Sequence, residues 1–153
     1  MTGRAACSDH GGTMSMTATA HPDGGTLRHE IDVNGRHVIT TDEPETLGGS
    51  DTAPAPHEFL PAMLASCVST MIVLYARARD WELDDLQVDV TYDTDSSPRQ
   101  VQVTIHLPKE LTPDQVKRLR RVAETCPVKR ALEAGFSFDQ RVVLEHRTVQ
   151  ACA

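Results

Sequence analysis

The sequence of this 153-residue chain has few of the features that mark a particular class of protein. Aromatic residues make up only 4% of it, with a single tryptophan. Basic residues are outnumbered, 15 against 22 acidic ones, which gives a net charge of -7. Binding to nucleic acid or to an anionic membrane needs a basic surface, so we expect neither as a partner.

The four cysteines form neither a metal-binding pattern nor a disulfide framework. They are Cys7, Cys67, Cys126 and Cys152. No Cys-x-x-Cys pair and no His/Cys pair at zinc spacing occurs, and the seven histidines are scattered along the chain. We therefore expect no metal ion. In a protein predicted to be cytoplasmic, a structural disulfide framework is not expected either.

Length and composition predict one folded domain. A hydrophobic content of 39% and a charged content of 24% are ordinary for a globular protein of a size that can bury a core. Residues 1–13 are polar and glycine-rich and lack the apolar centre of a signal peptide, which predicts a disordered N-terminal tail. We expect residues 14–153 to form a single domain, located in the cytoplasm.

The longest apolar stretch of the chain runs over residues 59–76 and carries no charge. A membrane span is one interpretation, but this length is near the lower limit for crossing a bilayer, and the stretch includes Pro61, Ser66 and Thr70. We predict instead a long buried helix with Cys67 at its middle. Its apolar residues recur at helical spacing and form a wide face: Leu60, Met63, Leu64, Val68, Met71, Ile72 and Tyr75.

Alternating apolar residues and turn signals predict strands on both sides of this helix. The predicted strands cover residues 14–20, 27–33, 36–41, 86–92, 101–107 and 136–146. Asn34-Gly35 predicts a two-residue type I′ hairpin turn. Residues 42–56 show no periodicity and predict a long surface loop, which in compact domains is often functional. The fold class is α+β, with antiparallel sheets built from hairpins rather than crossover units.

Two shorter helices are predicted after the second hairpin. Thr112-Pro113-Asp114-Gln115 is a capping-box pattern with proline at the first helical position. Cys126-Pro127 ends this helix and predicts another over 127–134 with Cys126 at its N-cap, where backbone N–H groups can lower the pKa of a thiol. The helix that begins at Pro113 carries a basic cluster on its outward face, which we interpret as a solvated surface: Lys117, Arg118, Arg120 and Arg121.

The two cysteines inside predicted elements allow two interpretations. Cys67 and Cys126 could form a redox pair, in which one thiolate attacks a peroxide oxygen and the other thiol converts the resulting sulfenic acid to a disulfide. Alternatively Cys67 is a small core residue, since free cysteines are often buried. A similar choice holds for His57 and Glu58, which are either a helix-cap pair or a catalytic dyad. The residues alone leave these alternatives open.

Two stretches, one around each cysteine, carry a recognisable pattern. The first runs from Asp42-Glu43-Pro44 through Leu47-Gly48-Gly49-Ser50-Asp51-Thr52 to Leu64-Ala65-Ser66-Cys67, and the second is Ala123-Glu124-x-Cys126-Pro127-Val128. Together they resemble the OsmC/Ohr family of osmotically induced and organic-hydroperoxide-resistance proteins, in its OsmC-like branch. The resemblance implies an α+β fold in which two chains intertwine as a homodimer, with the long cysteine helix at the centre and the active sites at the subunit interface.

The resemblance also implies a function, that of a thiol-dependent peroxidase (an antioxidant oxidoreductase of the oxidative stress response) acting on small organic hydroperoxides. Cys67 matches the peroxidatic position and Cys126 the resolving one. Glu58 matches the site glutamate of the OsmC-like branch, and Arg28 and Arg36 are the candidates for its arginine partner. The implied reductant is a dithiol, a lipoyl group in the best-understood members, and the resemblance implies no metal and no other cofactor. The alternative function is that of a small-molecule-binding stress protein on the same fold, without fast turnover.

Overall fold

The computed structural model describes residues 15–144, and it confirms the α+β class. The chain divides between Ala62 and Met63 into two compact units, while the prediction of a single domain over 14–153 stays a prediction. The predicted tail over 1–13 lies outside the described residues. The elements are β1 (Ala18–Pro22), β2 (His29–Val33), β3 (His37–Thr41), α1 (Phe59–Arg77), β4 (Gln87–Asp93), β5 (Gln100–His106), α2 (Pro113–Ala123) and α3 (Pro127–Ala134), with short 3-10 turns at Glu45–Leu47 and Pro56–Glu58.

The N-terminal unit contains a three-stranded antiparallel sheet in the order β1-β2-β3. The predicted hairpin between β2 and β3 is formed, and Asn34 and Gly35 have φ angles of 57° and 64°, the positive pair that a type I′ turn requires. The connection is one residue longer than predicted, because Val33 lies opposite His37 and Arg36 is left between the strands. β1 begins later than predicted, at Ala18, which lies opposite Val33. Because β2 ends at Val33, the antiparallel register leaves a residue before Ala18 without a partner on β2.

Burial in the N-terminal unit is confined to polar side chains. Among residues 15–62 only Thr41, 3% exposed, and Asp42, 1% exposed, are buried. The apolar side chains of its sheet stay accessible, with Val38 65% and Ile39 38% exposed. This unit therefore has no apolar core of its own among the described residues.

Helix α1 carries the core of the second unit, as the apolar pattern predicted. Its buried residues recur at every fourth position and form one stripe: Leu64, Val68, Ile72 and Ala76. The stripe belongs to one core cluster with Leu119 and Ala123 of α2 and with Cys126. Full burial of a side chain such as Ile72, which is 0% exposed, contributes about 1.5–3 kcal/mol to folding.

The same helix is apolar well beyond this stripe. By length and composition, Pro56–Arg77 is the one helical stretch of residues 15–144 that could cross a membrane, with a mean hydropathy of 1.9. One such helix is weak support for a span, since the core helix of a soluble protein passes the same test. Only 22% of its most apolar window is buried in the single chain, which leaves side chains such as Met63 and Leu74 exposed.

The second unit also contains a two-stranded antiparallel sheet, β4-β5, in which Val90 lies opposite Val103. The final strand predicted over 136–146 is not formed in residues 136–144, where the prediction is wrong for the single chain. A strand exists only through hydrogen bonds to a neighbour, and this segment pairs with neither β4 nor β5. Its alternating apolar side chains are left in solvent, with Phe138 90% and Leu144 95% exposed.

Helices α2 and α3 begin where the sequence predicted. The Thr112 hydroxyl accepts the Gln115 N–H at 3.3 Å, and the Gln115 side-chain oxygen accepts the Thr112 N–H at 2.7 Å, which is the predicted capping box. Cys126 is the N-cap residue of α3, and Gly135, at φ 74°, follows its last turn. The short connection between the helices holds Cys126 next to the core stripe of α1.

Candidate redox site at Cys67 and Cys126

The local structure around Cys126 is a tight turn between two helices. Its N–H donates to the Ala123 carbonyl at 3.2 Å, and its own carbonyl accepts the Arg130 N–H at 3.0 Å. Pro127 occupies the first position of α3, where a missing N–H costs nothing. Cys126 is therefore fixed through its backbone on both sides. Cys67 precedes the buried Val68 in the rigid middle of α1.

The structure brings the two predicted cysteines into direct contact. The Cys126 thiol donates a hydrogen bond to the Cys67 sulfur, with the two Sγ atoms 2.8 Å apart, and both are free cysteines. They are not equivalent, because Cys126 is 0% exposed while Cys67 is only half-buried. Since the two residues lie 59 positions apart in the chain, their contact depends on the packing of α1 against the turn between α2 and α3.

Burial and the hydrogen bond act together on the protonation of the Cys126 thiol. Burial, and then the hydrogen bond to Cys67, raise the pKa of the Cys126 thiol, whereas the backbone N–H groups of Lys129 and Val128 act to lower it. The net direction is upward, so Cys126 is a protonated donor. The N-cap effect that the sequence predicted is present, but desolvation outweighs it.

An ion-pair network that the sequence analysis did not identify surrounds this turn. Lys129 pairs with Glu124, at the end of α2, and with Glu133 on α3, at 3.1 Å. The hydrogen bonds to Glu124 and Glu133 raise the pKa of Lys129. Because both carboxylates balance its charge, Lys129 is not free to convert the neighbouring Cys126 to a thiolate. The i,i+4 spacing of Lys129 and Glu133 was the available sequence signal.

Glu58, the third predicted site residue, lies in the 3-10 turn that leads into α1. Its side chain is exposed, and its Oε2 accepts the Ala55 N–H at 2.8 Å. This is the capping interaction that the sequence allowed for a glutamate at this point. Its role beside Cys67 stays a prediction.

A buried aspartate organises the long loop of the N-terminal unit, and the sequence analysis gave it no role. Asp42 accepts four hydrogen bonds, from the N–H groups of Glu43 at 2.9 Å, Ser50 at 3.3 Å and Thr52 at 3.1 Å and from the Thr52 hydroxyl at 2.8 Å. The Thr52 N–H is the largest cause that lowers the pKa of Asp42. Gly49 lies so close that a Cβ there would stand 1.8 Å from the Glu43 carbonyl oxygen. The predicted surface loop is thus a compact, clamped one.

The same network distinguishes the two candidate arginines. Arg28 donates from Nη1 to the Thr52 hydroxyl at 2.8 Å, and its Nε lies 3.5 Å from Asp23 Oδ2. Thr52 in turn donates to the buried Asp42. Arg36 follows the hairpin turn and is exposed. Only Arg28 is held by the loop.

Within residues 15–144 no group of three or more histidine, cysteine, aspartate or glutamate side chains is arranged to hold a metal ion. A sequence profile of OsmC-like proteins matches residues 48–141, a segment that includes both Cys67 and Cys126. The chain belongs to the OsmC-like family. No curated protein matches it.

Solved structures of other OsmC-like proteins share this fold. A Psychrobacter arcticus 273-4 protein, named as a candidate osmotic stress induced and detoxification response protein, is 28% identical, with a TM-score of 0.64 over 81% of this chain and 90% of its own. The organic hydroperoxide resistance protein OsmC of Legionella pneumophila is 23% identical, with a TM-score of 0.55 over 79% and 90%. An OsmC-like protein of Mycoplasma pneumoniae is 20% identical, with a TM-score of 0.56 over 81% and 89%.

Proposed function

We propose that this OsmC-like protein is a thiol-dependent peroxidase that reduces small organic hydroperoxides. The observation that carries the proposal is the hydrogen bond from the buried Cys126 thiol to the half-buried Cys67 sulfur, at 2.8 Å. It gives the two sulfurs different tasks, since only Cys67 is accessible to a substrate. Membership in a family whose Legionella pneumophila member is named an organic hydroperoxide resistance protein supports the same activity.

The reaction begins at Cys67. Its thiolate attacks the distal oxygen of the hydroperoxide, the O–O bond breaks, and the alkoxide leaves and takes up a proton to become an alcohol. Cys67 is then a sulfenic acid. The Cys126 sulfur, already in contact, attacks the Cys67 sulfur and closes a disulfide, and the hydroxyl group leaves as water with the thiol proton.

An external dithiol completes the cycle, and the family resemblance favours a lipoyl-type group. Its two thiols become a disulfide while Cys67 and Cys126 return to thiols, so that two electrons and two protons pass from the dithiol to the protein. The protein needs no metal or cofactor for any of these steps. The contact between the sulfurs supports the resolving role that we propose for Cys126.

We also propose that the working form is an intertwined homodimer. In the single chain, apolar side chains that a stable protein covers remain exposed on α1 and on the C-terminal segment, among them Met63, Leu74, Phe138 and Leu144. The N-terminal unit adds Val38, which is 65% exposed. A second copy that covers α1 explains its apolar composition without a membrane, and the described C-terminal segment then finds a strand to pair with.

For the polar part of the site we propose Glu58 and Arg28. Arg28 is preferred to Arg36 because its guanidinium is anchored through Thr52 to the buried Asp42. A guanidinium held in this way can bind and polarise the peroxide oxygens or hold a carboxylate by paired hydrogen bonds. Glu58 is the carboxylate that the family pattern supplies.

A second candidate function is supported by an apolar cavity of about 320 Å³ in the second unit. Its lining includes Val68, directly after Cys67, and an apolar set from β5, α2 and the residue that follows β5: Val103, Ile105, Leu107, Val116 and Leu119. A cavity of this size and polarity can hold a small apolar ligand. On this alternative the protein binds a small molecule and its cysteines turn over slowly.

One experiment separates the two functions. The reduced protein is treated with stoichiometric cumene hydroperoxide, while free thiols are counted and the mass of a Cys67–Cys126 disulfide is followed. The peroxidase proposal predicts rapid loss of both thiols, and Cys67→Ser is expected to abolish peroxide consumption. The matched control is the double variant Cys7→Ser/Cys152→Ser, which leaves the pair intact and is expected to react like the wild type. The proposal fails if Cys67→Ser consumes peroxide as fast as the control.

A further inference from the structure

The basic cluster on α2 does not lie on a flat helix surface. It borders a shallow concavity of about 450 Å³ between α2 and the C-terminal end of α1, here called the basic concavity. Its lining consists of Tyr75, Asp114, Lys117, Arg118, Arg121, Val122 and Thr125. The interpretation of the cluster as a solvated face leaves this concave shape unexplained.

The charges at the basic concavity are not balanced by the protein. Arg118 pairs with Asp114 at 2.7 Å, but no carboxylate among residues 15–144 lies within ion-pairing distance of Lys117 or Arg121. A further cation, Arg79, stacks on the Tyr75 ring, 3.6 Å from its centroid, and lacks a carboxylate partner among the same residues. A chain with a net charge of -7 thus keeps a local excess of positive charge here.

The basic concavity lies close to the redox pair. Tyr75 follows Cys67 by eight residues on α1, which is about 12 Å along the axis at 1.5 Å per residue and about 80° around it. On the other side the lining ends at Thr125, the residue directly before Cys126. A group on a short flexible arm could therefore reach the two sulfurs from a molecule bound in the basic concavity.

We propose that the basic concavity is the docking site for an acidic protein that carries the dithiol reductant. The proposal rests on the proposed peroxidase function, which requires that a dithiol reach a half-buried disulfide after every turnover. Charge complementarity recommends an acidic partner, and the distance of about 12 Å calls for a dithiol on a flexible arm rather than in a rigid surface. Nucleic acid and membrane fit poorly, because α2 is only about 16 Å long and the rest of the chain repels polyanions.

The docked step is a thiol–disulfide exchange. A thiolate of the carrier attacks the Cys67 sulfur, which is the accessible one, the Cys67–Cys126 bond breaks, and Cys126 takes up a proton. The second carrier thiolate then attacks the carrier sulfur of the mixed disulfide, and Cys67 leaves as a thiolate. The carrier is oxidised to its disulfide and the protein regains both cysteines.

The test measures reduction of the disulfide alone. The full-length protein is oxidised with diamide, and its reduction is followed in Lys117→Glu/Arg121→Glu and in a control with the same change in charge elsewhere, Arg99→Glu/Lys109→Glu. Both control residues are exposed. The probes are a dihydrolipoyl-bearing carrier domain of net negative charge and, as an uncharged dithiol, dithiothreitol.

We expect Lys117→Glu/Arg121→Glu to slow reduction by the acidic carrier about tenfold or more at low ionic strength, with the difference shrinking as salt is added. The control variant is expected to be slowed much less, and dithiothreitol is expected to reduce all three proteins equally. Equal slowing in the two variants, or slowing with dithiothreitol as well, overturns the proposal. Phosphatidylserine vesicles that bind the wild type and not the concavity variant, with an unchanged carrier rate, also overturn it, in favour of a membrane surface.

The outcome for docking is separate from the outcome for peroxidase activity. Because diamide forms the disulfide without a hydroperoxide, the carrier step is measured even if Cys67 proves unreactive towards peroxides. A chain that shows the expected charge dependence but does not consume cumene hydroperoxide contradicts the proposed function only. The reverse result contradicts only the docking site.

Discussion

Different forces stabilise the two compact units of this chain. In residues 63–144 the buried side chains are apolar and form one cluster around the stripe of α1. In residues 15–62 the only buried side chains are Thr41 and Asp42, and the Asp42 carboxylate is fully engaged by the loop that follows it. One unit is stabilised by removal of apolar surface from water, the other by directional hydrogen bonds.

The two kinds of interior serve different purposes: the apolar cluster mainly supplies stability, and the Asp42 network mainly positions the groups around it. An apolar cluster supplies most of the free energy of folding but fixes side chains only through packing, and the chain uses it to bring two distant cysteines together. A buried carboxylate with four donors contributes less free energy than an apolar cluster, but it sets the position of every group that binds it. The N-terminal unit is thus built for geometry and depends on further contacts for its stability.

The largest effect is expected at the contact between the two sulfurs. In Cys126→Ser, Cys67 is still oxidised by the first equivalent of hydroperoxide, but no disulfide forms and the sulfenic acid persists. Trapping with dimedone followed by mass spectrometry should label Cys67 strongly in the variant and weakly in the wild type. Multiple turnover with a dithiol should fall to near the background rate. A wild-type rate of turnover in Cys126→Ser contradicts the resolving role.

The next largest effect is expected in the apolar cluster, compared with an apolar residue of the N-terminal unit. Ile72→Ala removes a fully buried side chain and should lower the free energy of unfolding by about 2–5 kcal/mol. The matched change Ile39→Ala, at a residue 38% exposed in β3, should lower it by less than half as much. Urea unfolding followed by circular dichroism gives both values. Equal losses of unfolding free energy at the two positions would contradict this difference between the units and show that Ile39 is buried in the working assembly.

The polar unit should respond to acid. The pKa of Asp42 is lowered in the folded chain, chiefly by the Thr52 N–H, so its contribution to stability is present above the unfolded pKa and is lost as the pH falls through the lower, folded value. Asp42→Asn should lower the melting temperature at pH 7 by several degrees and flatten its fall below about pH 4. Asp84→Asn, at an exposed loop position, is the control and should follow the wild type across this range.

The smallest expected effect is that of the capping box. Thr112→Ala leaves the N–H groups at the start of α2 without their side-chain partner and should lower the free energy of unfolding by about 1 kcal/mol. The single variant Gln115→Ala and the double variant complete a mutant cycle. Because the two side chains serve each other's backbone, their effects should be less than additive. Full additivity would show that the box contributes nothing as a unit.

Local features of the fold could be predicted from the sequence, because each depends on a few adjacent residues. The Asn34-Gly35 turn needs two positive φ angles, and the Thr112–Gln115 box needs two side chains at fixed spacing. The four-residue recurrence of the α1 stripe also identified the core helix. For the site, the positions of the two cysteines at a helix centre and a helix start predicted either a redox pair or ordinary core cysteines, and the resemblance to the OsmC/Ohr family favoured the pair.

What could not be predicted depends on contacts between distant parts of the chain. Nothing in the residues around Asp42 shows that its carboxylate is buried, because its donors come from as far along the loop as Thr52. Alternation in residues 136–144 predicted a strand, but a strand requires a neighbour, and the pattern does not say which chain supplies it. The raised pKa of the Cys126 thiol likewise follows chiefly from its burial, which no local pattern encodes.

The turn between α2 and α3, which holds Cys126 against Cys67, links the oxidation state of the two cysteines to the thermal stability of the fold. The proposed disulfide, between cysteines 59 positions apart, would restrict the unfolded chain and make the oxidised protein more stable than the reduced one by about 4 kcal/mol. By linkage, unfolding makes the same bond easier to reduce by about a thousandfold. Temperature and peroxide then act on one equilibrium: oxidation raises the melting temperature, and unfolding makes the disulfide easier for an external dithiol to reduce.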